Sequence, residues 1–263
     1  MKTLLLAMVL TAALIWGHPL SAEITDCTTT SPYTRTALVE LYTSEGCNSC
    51  PPADRWLSRQ SAQDWNPRQI VALAFHVDYW DRLGWKDRFA QPAFSTRQRA
   101  LAAQQGSRTV YTPQVLVSGR SLSQWRWPEA FQQRIADITA QPAPVDLQIE
   151  LFQKPEQWQI QTTGQLHATV TQSTIGIFVA VYQDKLGSQV IAGENAGEHL
   201  RHDRVVRALL GPLGLDPNGH FSHTVSISLP DGFVPQNAGV AVFLQQIQDG
   251  EVLQALALPA CPS

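Results

Sequence analysis

Charge is scarce in this chain. Asp, Glu, Lys and Arg make up 16% of its 263 residues, and the net charge is only −3. No long basic run stands out, which argues against nucleic acid as the main partner. Beyond residue 22 no apolar stretch is long enough to cross a bilayer, so no transmembrane segment is expected in the mature chain. Internal repeats and low-complexity tracts are also missing. So are the signatures of a Ser/His/Asp hydrolase, a phosphate loop and a dinucleotide fingerprint. Hydrophobic residues nevertheless reach 44%, enough to build a substantial core.

The first residues read as a targeting segment. Lys2 supplies a positive start, Leu4 to Trp16 is mostly apolar, and Pro19-Leu20-Ser21-Ala22 ends on a small residue. This pattern predicts a signal peptide over residues 1–22, cut after Ala22, although Leu20 is large for its place before the cut. The mature protein is therefore expected to be periplasmic or secreted. All four cysteines lie beyond the cut, at positions 27, 47, 50 and 261. Setting aside the close pair leaves Cys27 and Cys261 near the two ends. In an oxidising compartment these suit a structural disulfide, although four cysteines allow three pairings.

Cys47-Asn48-Ser49-Cys50 carries most of the information. It stands between the apolar run Ala37–Thr43 and a helix-compatible run that begins Pro51-Pro52-Ala53-Asp54. Pro51 suits a first helical turn, and the helix is expected to reach Gln63, before Asn66-Pro67. Unpaired N–H groups and the helix dipole favour a thiolate at such a position. Strand, Cys-x-x-Cys and helix in this order is the layout of a thioredoxin-like redox site. Cys47 would be the exposed nucleophile and Cys50 the more buried resolving thiol. A permanent local disulfide and half of a metal site are the other readings. Asn48 and Ser49 are uncharged, so they indicate no direction of electron flow.

Ile70–Phe75 is a continuous apolar run, as in a strand covered on both faces. His76-Val77-Asp78 follows at its end, where His76 could bind metal with Cys47 and Cys50, move protons, or pair with Asp78 for packing. Trp80, Trp85 and Phe89 could line a peptide groove or fill the core. A helix is expected from Ala93 to Gln105, with Arg97, Gln98 and Arg99 largely on its solvated face. Thr112-Pro113 precedes a short hairpin, and a further helix begins at Trp127-Pro128-Glu129. Pro142 and Pro144 mark the expected domain boundary. Beyond it, alternation over Val145–Leu151 and a succession of strand candidates with Asp-Gly turns predict a β-sandwich. These include single strands over Ile175–Gln183, Glu198–Leu209 and Gly239–Ile247. The segment Glu194–Asp203 is expected to pack between the domains. His199, His202, His220 and His223 show no diagnostic metal spacing.

Three segments together resemble a known family: Val39–Asp54, Phe75–Asp81 and Tyr111–Gln114. They are similar to the thioredoxin-like secreted proteins of domain-of-unknown-function family 1223. The resemblance implies a thioredoxin-like α/β domain over residues 23–142, followed by an all-β, sandwich-like domain over residues 143–263. It carries Cys47, Cys50 and Pro113 forward as active-site candidates, with His76 and Asp78 behind them. It implies no established reaction, and the motif departs from the Trp-Cys-Gly-Pro-Cys of ordinary thioredoxins. Three functions stay open. The first is a thiol–disulfide oxidoreductase acting on protein thiols or disulfides in the periplasm. The second is a soft-metal protein holding copper through Cys47, Cys50 and His76. The third is a binding module whose disulfide never opens.

Overall fold

The computed structural model describes residues 25–63, 65–167 and 175–262. The expected signal peptide lies outside these residues.

Of the described residues 43% are in strands and 18% in helices. In sequence order the chain forms β1 (Thr25–Thr30), β2 (Ala37–Thr43), α1 (Pro51–Gln63), β3 (Ile70–His76), α2 (Pro92–Gln104), β4 (Gln114–Val117), β5 (Arg120–Ser121) and α3 (Pro128–Thr139). Then follow β6 (Val145–Gln153), β7 (Gln157–Leu166), β8 (Ile175–Gln183), β9 (Leu186–Gln189), β10 (His199–His202), β11 (Val205–Leu213), β12 (His220–Ser228), β13 (Ala238–Gln246) and β14 (Val252–Pro259).

The expected fold class, an α/β thioredoxin-like domain followed by an all-β sandwich-like domain, is not what the chain builds. The dominant element is one eight-stranded mixed sheet in the order β14-β13-β8-β11-β3-β2-β4-β5. Strands from both halves of the chain share it. The junction is β11 beside β3, parallel, with Val205 opposite Ala74. The only other parallel pairing among the described residues is β2 with β3, in register from Ala37↔Ile70 to Thr43↔His76. A second sheet, β1-β6-β7-β12, is antiparallel throughout. β9 and β10 form a separate two-stranded hairpin.

The reason lies in side-chain periodicity. β8 is buried at every position and β13 at all but its last, so both faces of these strands are covered. On β8, Ile175, Ile177, Val179 and Val181 pack with the inner residues of the four-stranded sheet, such as Leu147, Ile149 and Trp158. Phe178, Ala180 and Tyr182 point the other way, into a cluster with Phe75, Phe94 and Phe243. A plain two-sheet sandwich would leave that second face wet. Here α2 supplies Phe94 and Leu101 to cover it. At the β2 end, α1 and α3 cover the first face through Leu57, Phe131 and Ile135. Cys27 and Cys261 are disulfide-bonded and link β1 to the segment after β14, with Cα atoms 5.6 Å apart.

α2 also carries a charge where a solvated face was expected. Gln98 is buried, and the Arg97 side chain is only 9% exposed. The Arg97 guanidinium donates to Glu40 Oε1 on β2 at 2.8 and 2.9 Å, and it lies over the Phe178 and Phe243 rings. Tyr42 Oη donates to the same carboxylate at 3.3 Å. Removing one member of a buried pair leaves the other uncompensated. Glu40→Ala is therefore expected to lower the unfolding free energy by about 3–5 kcal/mol. Urea denaturation measures this, and an unchanged midpoint would contradict it.

Candidate functional site

The site forms where β2 ends and α1 begins. Glu45 and Gly46 carry the chain from β2 into the cysteines. A Cβ on Gly46 would lie 3.1 Å from the Trp80 Cβ, so close approach to Trp80 explains the glycine. Cys47 and Cys50 are bonded to each other, and α1 starts at the next residue. The N–H groups of Ala53 and Asp54 donate to the Cys50 carbonyl, at 2.8 and 3.2 Å.

Exposure is where the arrangement departs from expectation. Cys47 was expected to be exposed, but both cysteines are 0% exposed, and only Asn48 and Ser49 between them reach solvent. On one side lies Thr112, just before Pro113. Its carbonyl oxygen is 3.8 Å from Cys47 Sγ and accepts from Ser49 Oγ at 3.4 Å. Its hydroxyl accepts from Trp80 Nε1 at 2.8 Å. On the other side lies the β9–β10 hairpin. Its connection is closed by Gly197 N–H to Val190 O at 2.8 Å and Val190 N–H to Glu198 O at 2.9 Å. From it the Asn195 amide donates to the carbonyls of Glu45 (2.7 Å) and Cys47 (3.0 Å). Glu194 Oε2 accepts the Asn48 N–H at 3.1 Å. The segment expected to pack between domains therefore closes over the disulfide.

Beneath the cysteines five ionisable side chains are buried together: Glu45, Asp54, His76, Asp87 and His202. His76 Nδ1 pairs with Asp87 Oδ2 at 2.6 Å. Asp87 also accepts the N–H groups of Glu45 and Phe89, both at 2.9 Å. Glu45 Oε1 meets His202 Nε2 at 3.2 Å, and its Oε2 accepts from Trp85 Nε1 at 2.8 Å. His202 Nδ1 stands 3.8 Å from Asp54 Oδ2. The two imidazole rings meet edge to face at 4.8 Å, with Phe89 packed against both. Asp54 is on α1, one turn after Cys50, so the chain of polar contacts ends on the helix that the disulfide begins.

Burial opposes charge on Glu45, Asp54, His76 and Asp87, and their partners decide the outcome. For His76 burial is outweighed by the Asp87 carboxylate, and its pKa rises. Asp87 is lowered, because pairing with His76 overcomes its own burial. Glu45 is likewise lowered against burial by its hydrogen bond to His202. On Asp54 burial wins over the attraction of His202 and His76, and the pKa is raised.

Several candidates from the sequence land elsewhere. His76 does not pair with Asp78. Asp78 instead exchanges hydrogen bonds with Ser95 on α2, accepting from its hydroxyl and donating its N–H to it at 3.1 Å. His199 is exposed on the opposite side of β10 from His202, and His220 and His223 lie on β12 in the other sheet. Among the described residues no group of three or more His, Cys, Asp or Glu is placed to hold a metal ion. No helix among them is long and apolar enough to cross a membrane. Trp80, Trp85 and Phe89 serve as site walls: two donate their indole N–H groups inward, and the third packs on the histidines. Glu45, Asp87, Glu194 and Asn195 were not identified as site residues. The one local hint was a carboxylate two positions before Cys47.

The geometry defines a class: a mixed-sheet protein with a Cys-x-x-Cys disulfide closed under a hairpin and set on a buried acid–imidazole cluster. The family model described as "Protein of unknown function (DUF1223)" matches residues 38–245, most of the chain, and the chain belongs to that family. Among solved structures it is similar to a protein from Agrobacterium tumefaciens determined by a structural-genomics consortium. The TM-score is 0.61 and the identity 21%, over 89% of this chain and 98% of that one. It is also similar to HBP35 of Porphyromonas gingivalis, with a TM-score of 0.66 and 16% identity, over 87% of this chain and 76% of that one. At these identities the likeness shows the fold alone. No curated protein matches the chain.

The His76–Asp87 pair has a pH signature. A raised histidine stabilises fully below its ordinary value of 6.5, and this is lost as pH rises through the folded pKa. A lowered aspartate stabilises above its ordinary value of 3.8, and this is lost as pH falls through the folded pKa. The pair's contribution is therefore greatest between those two values. His76→Gln is expected to remove the alkaline decline in urea midpoint. A variant that tracks the wild type at every pH would contradict the pairing.

Proposed function

We propose that the chain is an exported thiol–disulfide oxidoreductase of the periplasm, acting through Cys47 and Cys50. The observation that carries this reading is the acid–imidazole cluster beneath the disulfide. Burying several ionisable groups is costly, and such clusters concentrate where chemistry needs tuned proton affinities. Two disulfides also fit an oxidising compartment.

From the oxidised state, a partner thiolate attacks Cys47 Sγ. The Cys47–Cys50 bond breaks, and Cys50 leaves as a thiolate that takes up a proton. A second partner thiol loses its proton and attacks the partner's sulfur in the mixed disulfide, which expels Cys47 as a thiolate that takes up a proton. The partner has then lost two electrons and two protons and holds a disulfide, and the chain holds a dithiol. The reverse sequence reduces a partner disulfide. Asp54, one turn beyond Cys50 and with its proton affinity raised by burial, is the nearest carboxyl of the cluster along the helix. Thr112, Pro113 and the hairpin bound the entrance, so access to Cys47 requires the hairpin to shift.

Complete burial of both sulfurs favours a second reading, in which the disulfide is permanent and the site a rigid binding module. Trapping separates the two. In Cys50→Ala the mixed disulfide cannot resolve. Cells exporting this variant are expected to yield a protein adduct that mass spectrometry maps to Cys47 and that is lost in the Cys47→Ala/Cys50→Ala double variant. An adduct-free Cys50→Ala protein would support the permanent disulfide.

A further inference from the structure

We propose that Glu194 and Asn195, at the tip of the β9–β10 hairpin, set the reactivity of Cys47. Asn195 is a positioning residue, and Glu194 restrains the sulfur electrostatically. This rests on Cys47 acting as a thiol, as in the function proposed above.

A thiolate at the start of a helix draws its stabilisation from nearby N–H groups and from the helix dipole. The Asn48 N–H is the one that directly follows Cys47. In this fold it is already taken: Glu194 Oε2 accepts it at 3.1 Å. The hairpin therefore occupies the N–H next to Cys47 and brings a carboxylate to the residue that follows it. Both effects disfavour the thiolate. Asn195 fixes this arrangement. It is 5% exposed, and its single amide nitrogen holds the carbonyls on either side of Gly46, those of Glu45 and Cys47. Nothing in the turn's own closure requires that amide, since the connection is closed by backbone bonds among Val190, Gly193, Asn195, Ala196, Gly197 and Glu198.

The other charged groups around the cysteines act from beneath. Glu45 lies in the same loop, Asp54 on α1, His76 at the end of β3, Asp87 in the loop before α2, and His202 on β10. These are buried and engaged with one another. Glu194 is the exposed member, so a partner reaching Cys47 meets it first. A partner that draws Glu194 away frees the Asn48 N–H and removes the charge together. The hairpin thus keeps Cys47 unreactive until a partner is in place.

The test uses the full chain carrying Cys50→Ala, with the Cys27–Cys261 disulfide intact, so that Cys47 is the single free thiol. Its alkylation by iodoacetamide is followed against pH. Adding Glu194→Gln is expected to move the midpoint of the profile to lower pH and to speed the reaction at neutral pH about three- to tenfold, the size for loss of one exposed charge on the residue next to the sulfur. The gain should shrink in about 1 M salt, where screening reaches about 3 Å. Asn195→Ala is expected to move the midpoint in the same direction. An unmoved profile in Glu194→Gln overturns the proposal. So does an equal acceleration at every pH, which is the mark of a purely steric cover. Alkylation needs no partner protein, so the two claims fail separately. A shifted profile without a trapped adduct removes the oxidoreductase reading alone. A trapped adduct with an unmoved profile removes the Glu194 role alone.

Discussion

The Glu45 carboxylate is the tie on which the site depends. It is fully buried, so each of its oxygens must be satisfied inside the protein. One oxygen meets His202 of the hairpin and the other takes the Trp85 indole N–H, while the Glu45 backbone N–H donates to Asp87. A single residue of the disulfide loop thereby fixes the position of the hairpin, the loop before α2 and the His76–Asp87 pair. Were the hairpin to leave, Glu45 would lose His202 and gain solvent at the same moment. The closed site is thus held by a bond that water can replace, which suits a cover that moves.

Much of the local structure was legible. α1 and α3 begin at the expected prolines, and the mainly apolar runs at Ile70–Phe75, Ile175–Gln183 and Gly239–Ile247 are strands. Continuous apolarity means two covered faces, which places β8 and β13 inside a large layered sheet rather than in a sandwich with one wet side. The join of β11 to β3 depends on a parallel register between distant segments, and no local pattern encodes it. The expected strand over Glu198–Leu209 is split at Asp203-Arg204, where Arg204 has a φ of 60°. That break lets β10 pair with β9 and carry His202 to the site, while β11 enters the main sheet. Arg97 was assigned to water because it is charged. Its destination was signalled by Glu40, a carboxylate inside an otherwise apolar strand.

The same pattern holds for the site. The cysteine pair and its helix are short-range features, and the sequence shows them directly. The residues that surround the pair come from four stretches of chain, Glu45–Asp54, His76–Phe89, Thr112 and Glu194–His202, and only the folded sheet brings them together. His202 was noted among unspecific histidines; its alternation with His199 on a strand was legible, but its destination was not. Burial of the sulfurs follows from the hairpin and could not be read from the motif itself.

The central claim is that Cys47 and Cys50 exchange electrons in the native protein. The most direct measurement is equilibration of the folded chain with glutathione buffers, with the thiols at Cys47 and Cys50 counted by mass spectrometry. The account predicts that the pair opens and closes together, reversibly and without denaturant, while Cys27–Cys261 stays oxidised. A pair that opens only when the protein unfolds would contradict it.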